Sequence, residues 1–152
     1  MVQLALWATL IVPWFLLILL DIKRVKPFLS VAFFTLLLTS IYWQIAEVMN
    51  WWTIPNNLPF LTNISAFNYG LSPVVTIYLF YFTYSRAVLF FAANIAADAF
   101  QAFVISPFIF EKLGFYKMGA MSNLGLFLII VSLVPIIYLY QRWYEKRFIS
   151  NY

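Results

Sequence analysis

Five long apolar runs decide most of what this chain can become. A helix needs about 20 predominantly apolar residues to cross the hydrocarbon core of a bilayer. Runs of that kind lie at about residues 2–20, 27–49, 64–84, 87–110 and 122–140. Each ends in a charged or turn-forming stretch: DIKRVK from 21, NWWTIPNNLP from 50, TYSR from 83, EKLGFYKMG from 111 and RWYEKRF from 142. A transmembrane barrel would instead show segments of about ten residues alternating apolar and polar, which these runs do not. The expected fold is an all-α integral membrane protein, one domain forming a bundle of five transmembrane helices. Composition agrees, with 65% hydrophobic and 9% charged residues against roughly 25% charged in a soluble domain.

The third run is the least regular. Asn63, Ser65, Asn68, Gly70, Ser72 and Pro73 make its first half polar and prone to kink, so its start is expected anywhere between residue 64 and Ser72. A re-entrant stretch over 62–71 would need the bundle interior to satisfy its backbone. Helix association in lipid relies on small residues, and Ala92, Ala93, Ala96 and Ala97 mark the fourth helix as the expected centre. The first run has no basic residue before it and no small-x-small cleavage site, so it reads as a retained helix.

Cytoplasmic loops carry the excess of lysine and arginine. Lys23, Arg24, Lys26, Arg86, Arg142, Lys146 and Arg147 fall on one side of a five-span chain, and only Lys112 and Lys117 on the other. The amino terminus is therefore expected outside and the carboxyl terminus in the cytoplasm. Trp51, Trp52, Tyr138, Tyr140, Trp143 and Tyr144 suit the two interfacial belts. The basic rim suffices for topology and contact with anionic lipid.

Several chemistries are excluded by what is missing. Without cysteine there is no disulfide or thiolate chemistry, and without histidine the commonest ligand for haem iron, zinc or copper is gone. No lysine or arginine lies inside a run, which excludes retinal held as a lysine Schiff base. The basic residues cluster at span ends and form no phosphate-binding groove, so nucleic acid is not an expected partner. No cofactor and no metal are expected. The partners are the lipid bilayer and, beyond it, a second copy or another membrane protein.

Strongly polar side chains inside a membrane are the first functional candidates, because each costs several kcal/mol unless it faces the bundle or water. Asn94, Asp98 and Gln101 follow the spacing i, i+4, i+7, within about 60° of arc on one helix face. Ser40, Gln44 and Glu47 repeat it in the second run. At about 1.5 Å of rise per residue, Gln44 and Gln101 fall at similar depth, so the two stripes are expected to meet in one polar pocket. A carboxyl group there would serve proton transfer or a cation site, because desolvation disfavours its charged form. The competing reading is structural, with a neutral Asp98 donating to an amide across a helix interface. Pro13, Pro73, Pro107 and Pro135 read as packing kinks. The sequon Asn63-Ile64-Ser65 is too loose a pattern to assign.

Glu47 closing the second run, the WWTIP stretch at 51–55, Ser106-Pro107 and Leu113-Gly114-Phe115-Tyr116 form a pattern spread over most of the chain. It resembles a family of small uncharacterised multi-spanning membrane proteins of spore-forming Gram-positive bacteria. The resemblance implies a bacterial plasma membrane and no particular activity. That family has an acidic residue before the proline where this chain has Ser106, which puts any shared acid site in doubt.

Three functions follow, in order of expectation. The first is a non-enzymatic structural or accessory subunit of a membrane assembly. The second is a small proton- or cation-coupled transporter or channel component using Asp98 and Glu47. The third is an intramembrane enzyme acting on a lipid or isoprenoid, for which a second catalytic group is not identifiable. The balance of expectation is against an enzyme, and no catalytic residue is assigned.

Overall fold

The computed structural model describes residues 1–149. Five helices follow the five apolar runs. Helix α1 spans Val2–Leu16 and tightens into one 3-10 turn at Leu17–Leu19. Asp21 caps a single helical turn, Ile22–Val25, by accepting from the Lys23 N–H at 2.9 Å. The chain then enters α2, Leu29–Val48. Helix α3 is Ala66–Thr83, and α4 is Ala87–Phe100, which widens without a break into a π-helix over Gln101–Phe110. Helix α5 is Asn123–Tyr144, with a π-helical end at Glu145–Ile149. The fifth helix thus outruns its apolar stretch, because charge ends a hydrophobic run without ending a helix and nothing from 141 to 149 is Gly or Pro.

Four segments are long and apolar enough to cross a membrane: Val2–Leu19, Ile22–Val48, Ala87–Phe110 and Asn123–Ile149. Their outward faces carry large apolar side chains such as Leu4, Ile18, Phe33, Val88, Phe100 and Leu128. A water-soluble monomer rarely exposes so much contiguous apolar surface.

Pro107 lies within the wide stretch of α4, where it has no N–H to give and its ring would obstruct a tighter turn. At the end of that stretch the Glu111 N–H bonds to Ser106 O and, past the helix, the Phe115 N–H bonds to Phe110 O, both at 2.9 Å.

Helices α2, α3, α4 and α5 pack in a closed ring, each against the next and α5 back onto α2. Helix α1 lies outside that ring, against α3. Gly70 permits this approach: a Cβ there would stand 2.0 Å from Thr9 O and 2.7 Å from Leu10 Cα. The centre is therefore α3, which touches α1, α2 and α4, and not the alanine-rich fourth helix. Ala92 and Ala96 lie exposed on the outer face of α4. Regular helix begins at Ala66, near the early end of the expected interval, so the alternative start near Ser72 and the re-entrant stretch over 62–71 are not what the structure shows.

The loops gather at two ends. At one, Gln141 Nε2 donates to Pro27 O (3.0 Å), and the Tyr84 hydroxyl donates to Glu145 Oε2 (2.9 Å). Burial, and then the bond to Glu145, push the Tyr84 phenol well above its usual ionisation range. At the other end two short strands, β1 (Trp52–Thr53) and β2 (Lys117–Met118), pair antiparallel with Trp52 opposite Met118. Gln3 joins that end by donating to Asn57 O at 2.9 Å.

Candidate functional site

A cavity of about 130 Å³ lies inside the four-helix ring. Helical periodicity dictates its polar lining. Thr35, Thr39 and Tyr42 share one face of α2, Asn68, Ser72 and Thr76 one face of α3, and Asn94, Asp98 and Gln101 one face of α4. The α5 wall is aliphatic, with Leu126, Ile130, Leu133 and Val134.

Most of these polar groups are satisfied locally. Thr35 donates to Val31 O (2.9 Å), Thr39 to Leu36 O (3.0 Å) and Thr76 to Ser72 O (2.9 Å). Such back-bonding is the usual recourse of a threonine inside a helix. Asn94 Nδ2 donates to Phe90 O at 2.8 Å. Asn68, buried, reaches Ser40 Oγ at 3.5 Å. Asp98 Oδ2 is the one buried polar side-chain atom of the lining that has no hydrogen-bond partner. Asp98 is also the only carboxylate, and faces no lysine or arginine, among the residues lining the cavity.

An aromatic cluster covers the end of the cavity nearest the two-stranded ladder. Trp43 stands edge-on to Trp52, Phe67 and Tyr116, with ring centroids 5.1, 5.7 and 6.0 Å away. Strand pairing holds Trp52 in place and fixes the backbone next to Tyr116. The Tyr116 hydroxyl donates to Ser106 Oγ at 2.5 Å. Burial pushes the Tyr116 phenol up to about 12, the Ser106 bond opposing and Glu111 adding to the rise. Ser106, where the resemblance led to an acidic residue, is thus the buried anchor of an aromatic ring. The opposite end is filled by Phe80, Phe90, Val134 and Ile137.

Of the six residues singled out in the sequence, Asn94, Asp98 and Gln101 line the cavity. Ser40, Gln44 and Glu47 are not among its lining. At 100° per residue they sit roughly 140° round α2 from Thr35, Thr39 and Tyr42. Gln44 Oε1 and Glu47 Oε2 instead accept from Asn63 Nδ2, at 2.8 and 2.6 Å, which ties the exposed end of α2 to the following loop. The two stripes do not form one pocket. The partners of Asp98's face across the cavity are the threonines and Tyr42 of α2 and the Asn68, Ser72, Thr76 face of α3. Both faces repeat at i, i+4 and about i+7, so their signal is in the sequence, in side chains less polar than a carboxylate.

Among the described residues no three His, Cys, Asp or Glu side chains group as metal ligands. The chain matches no protein-family model, no curated protein and no solved structure.

Proposed function

We propose that the chain is a membrane protein of five spans, with its amino terminus outside, that admits a positively charged species into the cavity on Asp98. The observation that carries this reading is the buried Asp98 Oδ2 left without a partner on a cavity wall. A carboxyl serving only to hold helices together would use its oxygens on the neighbouring helix, since an unsatisfied buried acceptor costs about 1–3 kcal/mol or more. Here that capacity is left for a proton or a cation, and Tyr42 and Tyr116 are the only other titratable side chains on the lining.

Five spans are supported by the position of α3 at the centre of the bundle. Its 18 residues span about 27 Å, close to the roughly 30 Å of hydrocarbon. The polar residues that lower its hydropathy face inward. The orientation is supported by Lys23, Arg24, Lys26, Arg86, Arg142, Lys146 and Arg147 gathering at one end, where Pro27, Tyr84, Gln141 and Glu145 meet. With the resemblance above, this suits a bacterial plasma membrane.

The test is a cation titration of the purified chain in nanodiscs, read by the emission of Trp43 and Trp52, which border the cavity. A saturable response to a proton or cation that Asp98→Asn abolishes supports the reading. A flat response across inorganic and organic cations and pH 5 to 8 rejects it. An accessory-subunit reading is favoured by a separate observation, the exposed Ala92 and Ala96 on the outer face of α4, where small residues let a second helix approach closely.

A further inference from the structure

Resting on that reading, the geometry points to a small primary alkylammonium ion as the occupant of the cavity: its charged head on Asp98, its short hydrocarbon body against the aliphatic wall of α5. The argument begins with the state of each polar group on the lining. Thr35, Thr39 and Thr76 have given their hydroxyl protons to carbonyls of their own helices, and Asn94 has given an amide proton to Phe90 O. What the threonines still offer the cavity is acceptor capacity, because a hydroxyl oxygen keeps lone pairs after its proton is used, and Asn94 offers its amide carbonyl and one remaining N–H. Asp98 Oδ2 adds a full acceptor that nothing occupies. The lining also carries donors, at Gln101, Ser72, Tyr42 and the Trp43 and Trp52 indoles, so what selects the ligand is the one unbalanced charge, at Asp98. The complementary ligand brings N–H donors and a positive charge, and a primary ammonium brings three of the former.

Charge excludes the opposite class. With no lysine or arginine on the lining, a carboxylate or phosphate ligand would enter beside Asp98 with nothing to balance it. A divalent metal ion is disfavoured by charge, since this cavity supplies one carboxylate among otherwise neutral groups. Its remaining wall, including Leu71, Val75, Ile130 and Leu133, is apolar and would desolvate a small ion without repaying it.

Size sets the scale. An apolar cavity of about 150 Å³ holds one benzene, so about 130 Å³ admits an amine of roughly the same bulk. n-Butylamine is of that class. The aromatic end near Trp43 adds faces that attract cations, but a quaternary ammonium has no N–H for the Asp98 and threonine acceptors.

The experiment uses the full chain in nanodiscs and four probes: n-butylammonium, n-butanol, tetramethylammonium and sodium, with empty nanodiscs as the blank for partitioning. Binding is followed calorimetrically and by tryptophan emission. n-Butylammonium is expected to bind saturably, and butanol and tetramethylammonium roughly 10- to 100-fold more weakly, the range of a lost charged hydrogen bond. Asp98→Asn should reproduce that loss, and the wild-type probe series stands on its own if the variant does not fold. Equal binding of butanol or tetramethylammonium overturns the inference, as does absence of amine binding. Sodium binding that depends on Asp98, without amine binding, overturns the inference and leaves the cation reading standing. No response to any probe or to pH removes both.

Discussion

Replacing Gly70 by alanine should drive α1 away from α3. The new Cβ would lie 2.0 Å from Thr9 O, and ordinary van der Waals contact begins at 3.4 Å, a shortfall of 1.4 Å. The obstacles are the Thr9 and Leu10 backbone atoms, so no side chain can rotate out of the way and α1 must move as a unit. A gap of about 0.5–1 Å already forfeits a quarter to a half of a dispersion contact, and this displacement runs through the seat of buried Leu6 and Pro13. Overpacking typically costs about 1–3 kcal/mol, with backbone obstruction at the upper end. Alanine returns about 1 kcal/mol of helix propensity, which leaves a net loss of about 2 kcal/mol. Gly125→Ala is the internal contrast, because the Cβ there meets the flexible Met121 Cγ at 2.9 Å, and it should be neutral or slightly stabilising. Both variants are compared with the parent by reversible unfolding in mixed micelles, monitored by helical circular dichroism. If Gly70→Ala is as stable as the parent, the close contact of α1 with α3 is refuted.

Three further outcomes follow from the same structure. Single cysteines at Ser85 and Asn57, in a chain with no native cysteine, should react with an impermeant thiol reagent in vesicles of opposite orientation, Asn57 in right-side-out and Ser85 in inside-out ones; labelling of both in the same orientation would cancel the five-span topology. Glu47→Gln should leave cation titrations at Asp98 unchanged while loosening the loop at Asn63, and a changed cation response would mean that the two carboxylates share a site after all. Tyr116 is raised from 10.0 to about 12, so its stabilising effect is complete below pH 10 and is lost as pH rises through 10 to 12. At about 1.4 kcal/mol per unit, that loss is about 2–3 kcal/mol. Tyr116→Phe should shallow the alkaline fall in stability, and an unaltered fall would assign it to Tyr84 or other groups.

The helices were legible because a membrane-spanning run must be long and apolar, and the fourth run fell on 87–110, the observed extent of α4 with its π-helical continuation. The arrangement was harder to read. Asn68, Gly70, Ser72 and Pro73 made the third run look weak, yet these residues mark the central helix: Gly70 receives α1, and Asn68 and Ser72 face the cavity. In a bundle surrounded by lipid the most apolar helices are the outer ones, so hydropathy ranks α3 last for the reason that it is central. Small alanines misled for a related reason, since they permit close packing without saying which helix uses it. Glu47 and Gln44 were misread because polar side chains near a helix end can be satisfied by a loop, here by Asn63. Asp98, Asn94 and Gln101, far from either end of their helix, line the cavity from one face.

The central claim is that Asp98 faces the cavity and not lipid or a sealed helix contact, and reagent access at that position tests it most directly. Asp98→Cys would be treated in nanodiscs with a small aminoethyl thiosulfonate, which reacts with the thiolate form that water sustains, and compared with Ile95→Cys on the outward face of α4. The account predicts modification at position 98 and none at 95. Equal inertness at both positions would contradict it.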